Sequence, residues 1–91
     1  MNYTIVIEPE AQDDLQSIFD YILTNDSIGK ARTFIKELQT SINSLSFMPQ
    51  RCRDSLYIED GKTKDLIYKG YTICYHIADT RVHIVALFRQ R

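Results

Sequence analysis

Two apolar stripes at helical spacing, separated by three polar residues, constrain this chain more than any other feature of it. Ala11, Leu15, Ile18 and Ile22 recur at steps of 4, 3 and 4, with Phe19 beside them. That period puts them on one face of an amphipathic helix. Pro9 precedes the stripe, where a helix loses nothing through the missing N–H. Glu10, Asp13 and Asp14 fall in the first turn, so negative charge meets the positive end of the helix dipole. A first helix is expected from about Pro9 to Leu23. Ala31, Ile35, Leu38, Ile42 and Leu45 repeat the pattern, Phe34 widens it, and Pro49 lies past its end. Within the intervening Asn25-Asp26-Ser27, either Ser27 or Asp26 suits an N-cap. So short a break cannot carry the chain far, and the helices must double back as an antiparallel hairpin with facing stripes.

The remaining segments read as strands. Tyr3 to Ile7 is a short β-branched run that Pro9 ends. After Pro49 comes a polar, basic connection from Gln50 to Asp54, then a loop marked by Gly61. Lys64–Tyr68, Tyr71–Ile77 and Val82–Phe88 follow, separated by Lys69-Gly70 and Asp79-Thr80. Connections this short make antiparallel hairpins. The expected fold is α+β, a single domain over residues 1–91, ordered β-α-α-β-β-β, with the helical hairpin on one face of an antiparallel sheet.

Strict alternation then assigns the faces. Tyr71, Ile73, Tyr75 and Ile77 join Val82, Ile84, Ala86 and Phe88 on the more apolar side, which should meet the helices. With Asp79-Thr80 as a two-residue turn, Ile77 lies opposite Val82 and His76 opposite His83. Cys74 then faces Val85, Thr72 faces Leu87, and Gly70 faces Arg89. The other side would carry Thr72, His76, His83 and Arg89 around Cys74, Val85 and Leu87. Such a half-polar surface on an uncovered sheet is where a partner should bind.

Composition narrows the classes. The chain is 44% hydrophobic and 11% aromatic, which is globular. It has no apolar run near the roughly 20 residues of a membrane span. The segment MNYTIVIEPEAQDD does not read as a secretion signal, so a cytoplasmic protein is expected. The net charge of −1 conceals a division: residues 1–29 hold six acids and no Lys or Arg, while residues 30–91 hold all eleven bases and the other six acids. A sum near zero argues against a general nucleic-acid binder, although the basic part could form a local patch. Cys52 and Cys74, without a CxxC pair, are expected to be unrelated reduced thiols.

Four segments in order, PEAQDDLQSIFDYI, KARTFIKELQTSINSLSFMP, GYTICYHI and RVHIVALFRQR, resemble the RelE/ParE toxin superfamily over nearly the whole chain. The acidic first helix and the A-x-x-F-x-x-x-L-x-x-x-I-x-x-L second helix are most similar to the ParE branch. The resemblance implies the toxin of a type II toxin–antitoxin pair, involved in growth inhibition and plasmid stabilisation, and held in a hetero-oligomer by a cognate acidic antitoxin. ParE-like members inhibit DNA gyrase by binding. RelE-like members enter the ribosome and cut mRNA, using Arg and Lys to stabilise phosphate charge. Here Thr72 follows Gly70-Tyr71 where the nuclease branch has Arg, Lys64 and Lys69 are out of position, and no Tyr follows Arg89. Losing such cations removes what is usually the largest catalytic term.

The expected function is therefore a ParE-like gyrase inhibitor. The alternatives are a ribosome-dependent mRNA endonuclease and an inactive member retained for antitoxin binding. Arg89, Arg91, Arg51 and Arg53 are the candidate target contacts. For the two terminal arginines the other reading is solubilising charge. For Arg51 and Arg53 it is complementing the negative end of the second helix. If the protein is a nuclease, Arg89 and His83 would carry the chemistry, since an unperturbed His titrates near pH ~6.5. His76 and His83 could share a proton or a metal ion, but read more simply as partly exposed cross-strand side chains. No metal and no cofactor is expected.

Overall fold

Ser27 starts the second helix. In the computed structural model, which describes residues 2–89, its hydroxyl accepts the Lys30 N–H at 3.2 Å. This satisfies one of the N–H groups that a helix start leaves without an internal partner. Helix α1 spans Pro9–Asn25 and α2 spans Ile28–Asn43. Their stripes face one another and the sheet: Ala11, Leu15, Ile18, Ala31, Leu38 and Ile42 are buried, while Ile22 and Ile35 are partly buried against the same core.

Five strands form one sheet: β1 (Thr4–Ile7), β2 (Arg53–Asp54), β3 (Lys64–Tyr68), β4 (Tyr71–Ala78) and β5 (Arg81–Arg89). Their spatial order is β1-β5-β4-β3-β2. Strands β2 to β5 pair antiparallel in sequence order, but β1 pairs with β5 in parallel. The sheet is thus mixed, not antiparallel as expected. Parallel neighbours need a long crossover, and nearly the whole chain lies between these two. The polar segment after Pro49 holds a one-turn helix, Pro49–Arg51, and the two-residue edge strand β2.

The β4–β5 register agrees with expectation near the turn: Ile77 lies opposite Val82 and His76 opposite His83. Past Tyr75 it does not. Tyr75 pairs with Ile84 but Cys74 pairs with Ala86, so Val85 is an extra residue opposed by neither. One inserted residue flips every later side chain to the other face. Ile73 accordingly meets Leu87, Thr72 meets Phe88, and Tyr71 meets Arg89. Leu87 joins the helix-side core, while Ala86 and Phe88 move to the outer face.

Nor is the outer face bare. Tyr57, in the segment between β2 and β3, reaches across β3 and β4 to pack edge-on against Phe88 at 4.8 Å. Beneath this strap Thr72 and Cys74 are fully buried, and Ser55 and Thr63 nearly so. Asp60 holds the strap's return: its carboxylate accepts the Lys62 and Thr63 N–H groups and the Thr63 hydroxyl. Those bonds pull its pKa down to about 2. A depressed carboxyl pKa stabilises the fold above the unfolded value, so this contribution fades as pH falls from 3.8 towards 2.

On the helix side, fully buried Tyr75 donates its hydroxyl to the Pro49 carbonyl at 2.5 Å, tying the end of the helical hairpin to the sheet. Leu38, fully buried in α2, tests the packing. Leu38→Ala is expected to destabilise the protein by about 2–5 kcal/mol. An unchanged denaturant midpoint would show that this stripe is not the core.

Candidate target-binding groove

Strand β1 covers only part of the β5 edge. After Ile7 pairs with Ile84, the Glu8 N–H donates to the Ile84 carbonyl and the chain departs into α1. The exposed stretch of β5 still needs its N–H groups satisfied. Asp14, one turn into α1, accepts the Leu87 N–H at 2.9 Å. Helix and strand are pinned there, and an open groove of about 260 Å³ remains beside the pin. Ile18 and Leu87 give it apolar walls, and Tyr21, Tyr71, Ser17 and Arg89 give it polar ones. Tyr21 is 53% exposed. Among the described residues no carboxylate lies within 4.0 Å of the Arg89 guanidinium, so its charge is available to a partner.

Two of the other candidate cations, Arg51 and Arg53, are engaged elsewhere. The Arg51 guanidinium donates to the carbonyls of Ser44, Phe47 and Met48 and to the Ser44 hydroxyl. It clamps the turn after α2, where Met48 sits at φ 50°, a left-handed conformation that side chains disfavour. The helix-end reading of Arg51 thus accounts for its contacts. Arg53 pairs at 3.7 Å with Asp65, whose side chain is fully buried. Arg53 lies on β2, three strand spacings, about 14 Å, from β5. Arg91 lies outside the described residues.

Asp65 also accepts from the Leu56 N–H and the Cys74 thiol. Burial, reinforced by this carboxylate, pushes the Cys74 thiol up to about 12, which keeps it protonated and unreactive near neutral pH. Cys52 and Cys74 are both free thiols.

Nor do the two residues proposed for nuclease chemistry meet. Arg89 shares the helix-facing side with Tyr71, whereas His83 shares the outer side with His76. They are separated by roughly 17–20 Å along β5. The rings of His76 and His83 stack at 5.0 Å, and His83 Nδ1 lies 2.6 Å from a Glu8 carboxylate oxygen. Burial and the neighbouring His83 lower the His76 pKa. Sequence reasoning missed two participants. Asp14 read only as a dipole-complementing acid, and Glu8 becomes a neighbour of His83 only once β1 is placed beside β5.

The profile of the family described as "ParE toxin of type II toxin-antitoxin system, parDE" matches residues 5–91. The chain belongs to the ParE toxin family. Two solved structures share its fold. The chromosomal ParDE toxin–antitoxin system from P. aeruginosa aligns at a TM-score of 0.85 with 13% identity, over 98% of this chain and 97% of that one. The toxin–antitoxin complex RelBE2 from Mycobacterium tuberculosis aligns at 0.68 with 23% identity, over 99% and 93%. A search of curated proteins finds no match.

For a ParE-family toxin, the division among these arginines gives distinct expectations. Arg51→Ala should lower stability by on the order of 1 kcal/mol, through loss of charge-assisted bonds at a turn. Arg89→Ala should leave stability unchanged. Urea denaturation of both variants checks this, and an equal loss in the two would show that Arg89 is also structural.

Proposed function

We propose that this ParE-family toxin inhibits growth by binding DNA gyrase, with Arg89 and the groove beside α1 as the contact, and does so without nucleolytic chemistry. The observation that carries the reading is the placement of Arg89 and His83 on opposite faces of the sheet. Cutting a phosphodiester requires a cation aimed at the developing charge and a base within hydrogen-bond reach of the attacking hydroxyl. The buried position of Thr72, where the nuclease branch carries Arg, supports the same reading. A gyrase target puts its action in the cytoplasm. Among the described residues no helix is long and apolar enough to cross a membrane.

The partner that neutralises it is a cognate antitoxin, an acidic segment that orders on the toxin surface. Exposed Tyr21, Phe47, Met48, Leu56 and Tyr57 offer apolar side chains for it to cover. Because such a partner binds only the folded toxin, the hetero-oligomer should melt above the free toxin.

The purified toxin is expected to inhibit gyrase supercoiling and to leave mRNA intact on translating ribosomes. Arg89→Ala should raise the inhibitory concentration about tenfold, the loss of some 1.4 kcal/mol at a contact. His83→Gln should have little effect. Primer extension on translated mRNA beside a supercoiling assay decides the matter: discrete cuts that vanish with His83→Gln would establish the endonuclease instead.

A further inference from the structure

The outer face of the β4–β5 hairpin carries a cluster that the groove does not use. His76 and His83 are directly opposed across the two strands, their rings 5.0 Å apart with planes inclined by only 20°. Glu8, between β1 and α1, places Oε1 2.6 Å from Nδ1 of His83. Residues 4 and 6 of β1 lie beside Arg81 and His83, so alternation brings Glu8 to the same outer face. The His83 side chain is 21% exposed and that of Glu8 37%, which leaves the cluster within reach of solvent.

A neutral imidazole carries its proton on one nitrogen and a lone pair on the other. In the neutral tautomer whose Nδ1–H donates to Glu8, the lone pair of His83 lies on Nε2, directed away from the carboxylate. A carboxylate hydrogen-bonded behind a histidine is also the usual outer-shell partner of a metal ligand: it fixes the tautomer and raises the basicity of the coordinating nitrogen. Two imidazole nitrogens at about 2.0–2.1 Å from one ion stand only a little over 3 Å apart. The ring centroids stand 5.0 Å apart; because the lone pairs of stacked rings lie in near-parallel planes, the His76 ring must turn out of the stack, with His83 held by Glu8, for both nitrogens to meet one ion. Among the described residues no group of three or more His, Cys, Asp or Glu is arranged to hold a metal ion, so the cluster offers two ligands with water completing the shell.

We propose that His76 and His83, with Glu8 orienting His83, form a two-imidazole site for one divalent transition-metal ion of the zinc, nickel or copper class. Imidazole suits these ions, whereas magnesium and calcium require oxygen ligands and should not bind. The site stands apart from the Arg89 groove and does not depend on the gyrase reading.

The test is calorimetric titration of the full-length, tag-free chain with zinc and nickel chloride, in a Cys52→Ser background that removes the accessible thiol. One ion per chain is expected. His76→Gln and His83→Gln should each weaken binding more than tenfold, and Glu8→Gln by about 10-fold. The copper(II) adduct should show electron-spin coupling to two imidazole nitrogens, reduced to one in either histidine variant. His76→Gln leaves the Glu8–His83 contact in place, so it remains decisive if His83→Gln does not fold. Absence of saturable binding, or binding that survives the double His76→Gln, His83→Gln change, would overturn the site. Unchanged affinity in Glu8→Gln would overturn the role given to Glu8.

Discussion

The unpaired Val85 decides which side chains of the last strand meet the helices. Without it, Ala86 and Phe88 would point into the helix-side core and Leu87 and Arg89 out of it. With it, Leu87 packs among Ile18, Ile73 and Ile84, and Arg89 emerges beside α1. Asp14 makes the arrangement sustainable by accepting the Leu87 N–H at a stretch of edge that β1 has already left. A buried backbone donor without a partner costs on the order of 1–3 kcal/mol. Bulge and carboxylate therefore act together: one re-aims the strand, and the other satisfies the edge that results.

The helices were legible because their evidence is redundant: two stripes, a proline start, an N-cap and a polar break agree. The β4–β5 turn was legible for the same reason, and Asp79-Thr80 sets His76 opposite His83 as expected. Beyond Tyr75 alternation misleads, because Val85 and Leu87 are as apolar as Ala86 and Phe88. Hydrophobicity cannot register an inserted residue when both phases look buried. The strap was illegible because Leu56, Tyr57 and Ile58 make only a short apolar run in a polar stretch, while its closure depends on Asp60, Asp65 and Phe88 from separate places in the chain.

The candidate site was legible in part. Arg89 was readable as a free terminal cation, and its charge does face a groove. Arg51 and Arg53 were readable either as target contacts or, more simply, as complements of the helix end; one clamps the turn after the helix and the other faces a buried carboxylate. Glu8 and His83 are 75 residues apart, and only the parallel β1–β5 pairing joins them. Family membership supplies the toxin class, and the shared fold at 13% and 23% identity supplies the scaffold. What the toxin does to its target rests on side chains that such a fold does not dictate.

The extra residue in β5 puts Leu87 and Arg89 on the helix side, away from His83. Nuclear Overhauser contacts of the Leu87 methyl groups in the labelled protein test this placement most directly. Leu87 is expected to contact Ile18 of α1 and Ile73 of β4, with the Phe88 ring against Tyr57. Contacts from Leu87 to Tyr57 and Thr72, with the Phe88 ring among the helix residues, would contradict it: the strand would then alternate without interruption, and Arg89 and His83 would share one face.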